Sequence, residues 1–287
     1  MVPANTLQIA IVGAGTMGAN IAQAVALGGC DVILHDIDRA VLRQALGRIS
    51  RGIDQGVRLG KVDPVRARRA KRSFTLVTDV ARCASADIAI EAVFDDPDLK
   101  QTVLREIDTV ISDTAILATS SNTLSPSALA GSTRQPERVI GLHFCNPAHI
   151  MQLVEVVRTE HTDPASLERA TSLVRAIGKT PVVVEDSPGL LVNRIGQAYW
   201  GEGLRLLDEN GLDLQTIDRL MESIDFPLGP FHLMDFLGVD TVHSVTQMLW
   251  DASYQLPRYR PHPRTRRMLD AGQTGRKGHR GFYPPAE

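Results

Sequence analysis

The chain has 287 residues, 43% hydrophobic and 22% charged, and a formal net charge of -2. Length and composition suit one large or two moderate globular domains, and the near-neutral balance argues against a nucleic-acid partner. No apolar run approaches the roughly 20 residues a bilayer span needs, and residues 1–6 are short and polar, which predicts no secretory leader.

Short β-branched runs come first. Residues 7–13 (LQIAIVG), 31–36 (DVILHD), 74–78 (FTLVT), 87–93 (DIAIEAV), 115–121 (AILATSS) and 138–144 (RVIGLHF) read as strands. Runs this continuously apolar suit a parallel sheet covered on both faces. Amphipathic segments at 17–27, 39–59 and 98–112 read as the intervening helices, so the first half predicts an α/β doubly wound sheet. After residues 181–189 (PVVVEDSPG) the strand signal ends. Helical segments follow at 190–211, 213–224 and 239–256, with Asn210 and Gly211 as a stop and Asp213 as the next cap.

The first strand runs into Gly13-Ala14-Gly15-Thr16-Met17-Gly18, and a helix follows directly. In this pattern Gly13 permits the tight turn, Gly15 lets a pyrophosphate approach the backbone, and Gly18 lets helix and strand pack closely. The second strand ends in Asp36, whose carboxylate suits ribose hydroxyls and repels a 2′-phosphate, so NAD is the expected cofactor rather than NADP. The expected architecture is an α/β Rossmann-like NAD-binding domain over residues 1–186, followed by an all-α C-terminal domain over 187–287.

Residues 141–157 (GLHFCNPAHIMQLVEVV) read as two buried strands and the turn between them. His143 lies inside the first apolar run and Glu155 inside the second. A buried ionisable group is costly unless paired, so these two either satisfy each other structurally or move a proton. In the second case Glu155 would hold one imidazole nitrogen as N–H and leave the other to take a hydroxyl proton.

Cys30, Cys83 and Cys145 are unevenly spaced and predict reduced thiols in a cytoplasmic protein. His149, His232 and His243 have no carboxylate or cysteine at ligand spacing, so no metal is expected. Residues 58–72 carry Arg58, Lys61, Arg66, Arg68, Arg69, Lys71 and Arg72 against a single Asp63, which reads either as a solvated face or as a landing site for phosphates.

Several segments in order resemble the 3-hydroxyacyl-CoA dehydrogenase family, in particular its short-chain 3-hydroxybutyryl-CoA members. They are VGAGTMG (12–18), GLHFCNP (141–147), LVEVV (153–157), DSPGLLVNRI (186–195), PLGPFHLMDFLGVDT (227–241) and GRKGHRGFY (275–283). The resemblance implies a homodimer held by the helical domain and NAD-linked oxidation of an L-3-hydroxyacyl-CoA, a reaction of fatty acid β-oxidation. It implies that His143 is the catalytic base, that Glu155 pairs with it, and that Asn193 bonds the reacting oxygen. It assigns Asp95, Lys100, Asn122 and Asn146 to the cofactor, and places Arg58 and Lys61 at the coenzyme A segment.

Two departures stand out. Asp95 occupies the place of a glutamate one methylene longer. Leu124 follows Asn122-Thr123 where the family has a serine, and the segment on to His143 is two residues shorter, which leaves Ser121 or Ser125 as candidate substitutes. The missing serine keeps open a dehydrogenase of a free 3-hydroxy acid or a sugar acid. Dehydrogenases of the 6-phosphogluconate type use a lysine in the helix after the boundary, and residues 190–208 contain none. A non-catalytic NAD-binding relative is the third reading.

Overall fold

The structure, a computed structural model, describes residues 7–121, 123–209 and 211–284. Asn122 and Asn210, on which the sequence places a cofactor contact and a helix stop, lie outside the described residues. The chain divides into two compact units, Met1–Ser187 and Pro188–Glu287.

The first unit is built on β1 (Gln8–Val12), β2 (Asp31–His35), β3 (Phe74–Val77), β4 (Ile88–Glu91), β5 (Ile116–Thr119), β6 (Val139–Phe144), β7 (Leu153–Arg158) and β8 (Thr180–Glu185). They form one sheet in the order β3-β2-β1-β4-β5-β6-β7-β8. Alternate residues of a strand face opposite sides, and β1 shows this directly. Ile9 and Ile11 join one core, while Ala10 and Val12 join the other. Helices α1 (Thr16–Leu27), α2 (Arg39–Arg58), α3 (Pro64–Arg72) and α6 (Pro164–Ala176) contribute residues to the first core, and α4 (Pro97–Val110) and α5 (Pro126–Ala130) to the second. Strand order reverses between β1 and β4, so the crevice outside their carboxyl ends is where such a sheet binds ligands.

The six strands predicted up to residue 144 are mutually parallel, and the strand after the turn that follows them reverses. β7 runs antiparallel to β6, and β8 is parallel to β7, so the last two strands oppose the first six. The reason is the link between β6 and β7, which is too short for the crossover of a dozen or more residues that a parallel pair requires. Pro181 is accommodated because β8 is an edge strand.

The cationic run also divides. Arg58 ends α2, Lys61 sits in the turn after it, and the rest forms a separate helix, α3. Asp63 caps α3 through the amides of Val65 and Arg66. From α3, Arg66 donates to the Leu27 carbonyl and Arg69 to the Gly29 carbonyl at 2.9 Å, which satisfies the open end of α1. Lys71 pairs with Asp54. These three cations are structural.

The second unit consists of α7 (Val192–Glu209), α8 (Leu214–Ser223), α9 (Pro230–Leu237), α10 (Val239–Ala252) and α11 (Pro263–Asp270). They enclose a core of Trp200, Leu204, Ile217, Phe231, Met234, Val242, Val245 and Leu249. Two buried aspartates tie its ends together. Asp218 accepts from the amides of Phe231 and His232 and from the Tyr283 hydroxyl, and Asp235 accepts from the amides of Phe282 and Tyr283. A Cβ on Gly281 would lie 1.9 Å from Asp235 Oδ1. The C-terminal GRKGHRGFY motif thus has a packing reason for its last glycine. No helix among the described residues is long and apolar enough to cross a membrane.

Candidate active site

The glycine loop meets the steric demands of a dinucleotide cradle one residue at a time. Gly13 has φ +106°, and a Cβ there would lie 2.7 Å from the Ala92 carbonyl oxygen. A Cβ on Gly18 would lie 1.8 Å from the Gly13 oxygen, so only glycine lets α1 start this close to β1. Around Gly15 nothing stands within 4 Å. Helices α2 to α6 each begin with a side chain that accepts from their first amides, whereas α1 begins at Gly15 with no side-chain cap. The Thr16 and Met17 end of α1 therefore presents amide dipoles to an anion.

Asp36 stands at the rim of this loop. Its Oδ2 accepts from the Ala14 amide at 2.9 Å and its Oδ1 from the Asp38 amide at 3.0 Å. Both oxygens keep a lone pair for a hydroxyl. The next residue, Ile37, is 89% exposed, and Phe94 beyond β4 is 85% exposed. The sequence signal for Ile37 is an apolar residue one step past a strand's acidic end; Phe94 has no comparable local signal.

Asp95 and Lys100 lie together in a polar cluster at the ends of β4 and β5. The Lys100 ammonium, with 1% of its side chain exposed, bonds Glu91 Oε1 at 2.8 Å and Oε2 at 3.0 Å, and approaches Asp95 Oδ1 at 3.2 Å. It also donates to the Val93 carbonyl. Glu91 accepts further from Thr119 Oγ1 and from the Val93 amide. Ser121 and Thr123 each donate a hydroxyl to Asp95 at 3.0 Å. The shorter carboxylate is thus held by three donors.

The same bonds decide the fate of the candidate substitute serines. Ser121 is buried, donates to Asp95 and accepts from the Leu124 amide. Ser125 donates to Asp186 Oδ2 at 2.6 Å and caps α5 at Ala128. Both hydroxyl protons are spent inside the protein. Leu124 packs against the second core of the sheet.

His143 and Glu155 are directly paired across β6 and β7, which puts both side chains on one face. His143 Nδ1 lies 2.5 Å from Glu155 Oε2, with 6% of the histidine and none of the glutamate exposed. Antiparallel pairing converts a separation of 12 residues into contact. Gly141 opposes Val157 on the same ladder, where a Cβ would lie 2.6 Å from the valine Cβ. Beyond β6, burial and then the Glu155 charge push the Cys145 thiol up to about 11, which leaves it a small hydrophobe rather than a nucleophile. Asn146 is exposed and its Oδ1 accepts from Asn20 of α1 at 3.3 Å. In the second unit, Asn193 lies in the first turn of α7, and its Nδ2 is buried without a hydrogen-bond partner.

These features meet in a known family. Residues 8–187 match the NAD binding domain of 3-hydroxyacyl-CoA dehydrogenase, and residues 189–284 match its C-terminal domain. The chain belongs to the 3-hydroxyacyl-CoA dehydrogenase family, and its first unit is the family's Rossmann-like NAD-binding domain. The fatty acid oxidation complex subunit alpha of Ectopseudomonas oleovorans is 34% identical over 276 residues, covering 96% of this chain and 38% of the relative. The chain therefore spans about two fifths of the length of that curated relative. Among solved structures, 3-hydroxybutyryl-CoA dehydrogenase from Escherichia coli superposes with a TM-score of 0.94 at 34% identity, covering 99% of this chain and 60% of that one. (S)-3-hydroxybutyryl-CoA dehydrogenase PaaH1 from Ralstonia eutropha gives 0.91 at 33%, covering 98% and 99%.

Proposed function

We propose that this protein interconverts a short-chain L-3-hydroxyacyl-CoA and the corresponding 3-oxoacyl-CoA with NAD. The observation that carries the proposal is the contact between His143 and Glu155 on paired strands, two ionisable groups in a wall of valine and leucine. Glu155 accepts the Nδ1 proton and so sets the imidazole tautomer, which directs proton exchange to Nε2. His143 then takes the proton of the substrate 3-hydroxyl, and Glu155 stabilises the imidazolium that results. In reduction the same imidazolium returns a proton to the oxygen. Bound NAD would supply the hydride acceptor for C3.

The chain's own residues place that cofactor. The open amides of α1 with Gly13, Gly15 and Gly18 would hold the pyrophosphate, Asp36 would hold the ribose hydroxyls, and Asp95, Asn122 and Asn146 would contact the rest of the cofactor. Lys100, occupied by Glu91 in its buried pair, serves the cofactor by fixing the segment that bears Asp95. Asn193 donates its carboxamide to the reacting oxygen as charge develops there. Arg58 and Lys61, both exposed, suit the coenzyme A phosphates. We place the protein in the cytoplasm as a homodimer joined through its helical domain.

The role of Asp36 makes a separate prediction. Asp36→Ala is expected to raise KM for NAD roughly 10- to 100-fold, the worth of a charge-assisted hydrogen bond of about 1.5–3 kcal/mol, and to narrow the preference over NADP. Initial rates with both cofactors measure it, and an unchanged ratio would remove Asp36 from ribose recognition.

One observation supports a second reading. With Leu124 packed against the core and the hydroxyl protons of Ser121 and Ser125 committed, neither candidate substitute has a free proton to replace the family serine. A dehydrogenase of a free 3-hydroxy acid fits that loss. Rates of NAD reduction with L-3-hydroxybutyryl-CoA and with free L-3-hydroxybutyrate separate the two. Turnover of the thioester alone supports the first; turnover of the free acid alone replaces it with the second. NAD binding without turnover of either would leave a non-catalytic relative.

A further inference from the structure

The helical unit contains a cavity that the proposed dehydrogenase chemistry does not use. It measures about 360 Å³ and is lined by α7, α10 and residues 257–265. Its floor is apolar: Trp200, Leu204 and Val242 line it, and all three are buried. That size and lining fit the roughly 300–1,000 Å³ range of small-molecule sites, which combine an apolar wall with a few placed polar groups.

Three nitrogen-bearing basic side chains line the same cavity, Arg205, Arg260 and the neutral His262. Two of them are committed. Arg205 donates from Nε to Glu202 at 2.9 Å. His262 Nδ1 accepts from the Arg264 amide, and its Nε2 lies 3.3 Å from Asp208 Oδ2. Those contacts require the Nε2–H tautomer, and burial keeps this imidazole below the usual histidine pKa. Arg260 has no ion pair among the described residues. One uncommitted guanidinium beside an apolar floor suits a single negative charge.

Gly201 adds an independent observation. It lies on the wall of the cavity in the middle of α7, where glycine is destabilising relative to alanine. Gly203 has a packing reason, because its Cβ would lie 2.8 Å from Pro230 Cγ. At Gly201 the first atom met is Gln197 Nε2 at 3.1 Å, the far end of a flexible side chain. Backbone left bare at a cavity is what close approach of a ligand uses.

We propose that this cavity is a binding site for a small organic monoanion, with a carboxylate on Arg260 and an apolar body over Trp200. The site is independent of the dehydrogenase reading. It is tested in the full chain carrying Trp250→Phe, so that Trp200 is the one tryptophan left and its emission reports the floor. Hexanoate is the probe and hexanol its uncharged counterpart. The expected result is a saturable change in Trp200 emission with hexanoate, at least tenfold weaker with hexanol and with Arg260→Gln. Adding Gly201→Leu, whose side chain fills the space, is expected to abolish it. Arg260→Gln changes an exposed side chain, so it decides the matter if Gly201→Leu fails to fold. No saturable change, equal binding of hexanol, or full affinity in Arg260→Gln would overturn the site. So would an emission change that follows protein concentration rather than hexanoate, which would mean a second copy fills the cavity.

Discussion

Replacing His143 with alanine is expected to lower kcat for the 3-hydroxyacyl-CoA reaction about 10²–10⁴-fold, the usual worth of a positioned general base, while NADH affinity stays unchanged. The imidazole is the group aligned by Glu155 at 2.5 Å, and the glycine loop and Asp36 that serve the cofactor are untouched by the change. Glu155→Gln is expected to cause a comparable loss without removing the ring, because an amide can hold the wrong tautomer and cannot neutralise an imidazolium. The two losses should not add, since the residues act as one unit. Stopped-flow rates with both single variants and the double variant measure this. If kcat for His143→Ala stays within tenfold of wild type while the protein remains folded, the proton is moved elsewhere.

Lys100→Met is expected to cost the first unit about 3–5 kcal/mol of stability. The variant leaves the Glu91 carboxylate, with none of its side chain exposed, without the ammonium that neutralises it. Thr119 and the Val93 amide still donate to Glu91, but neither carries charge. Adding Glu91→Gln to the variant should recover much of the loss, because the penalty belongs to the uncompensated charge rather than to the missing pair. Both tryptophans, Trp200 and Trp250, lie in the second unit, so unfolding of the first is followed in urea by circular dichroism. A loss under about 1 kcal/mol is the surface-pair value and would mean that water reaches Glu91 in the variant.

The parts of this protein that the sequence makes legible are those governed by neighbours along the chain. Apolar runs at 7–13 and 138–144 announce β1 and β6 because both faces of the sheet are covered. The glycine loop can be read position by position because each glycine answers a different close contact, with Ala92, with Gly13 or with open space. His143 and Glu155 are visible because charge inside valine-rich strands has few structural explanations. What the sequence hides is pairing at a distance. Ser125 reads as a possible substrate contact until Asp186, 61 residues away, takes its proton. The sheet brings Glu91 beneath Lys100, and the end of α1 takes Arg66 and Arg69 of α3, contacts that no local pattern announces. Cationic patterning carries no information about which carbonyl or carboxylate will meet it.

The proton-transfer role of His143 is read from the initial rate of NADH oxidation by the wild-type chain with acetoacetyl-CoA, run beside His143→Ala. Saturable, thioester-dependent oxidation is expected in the wild type and is lost in the variant, which still binds NADH. Tight NADH binding with no thioester-dependent oxidation in the wild type would contradict that role.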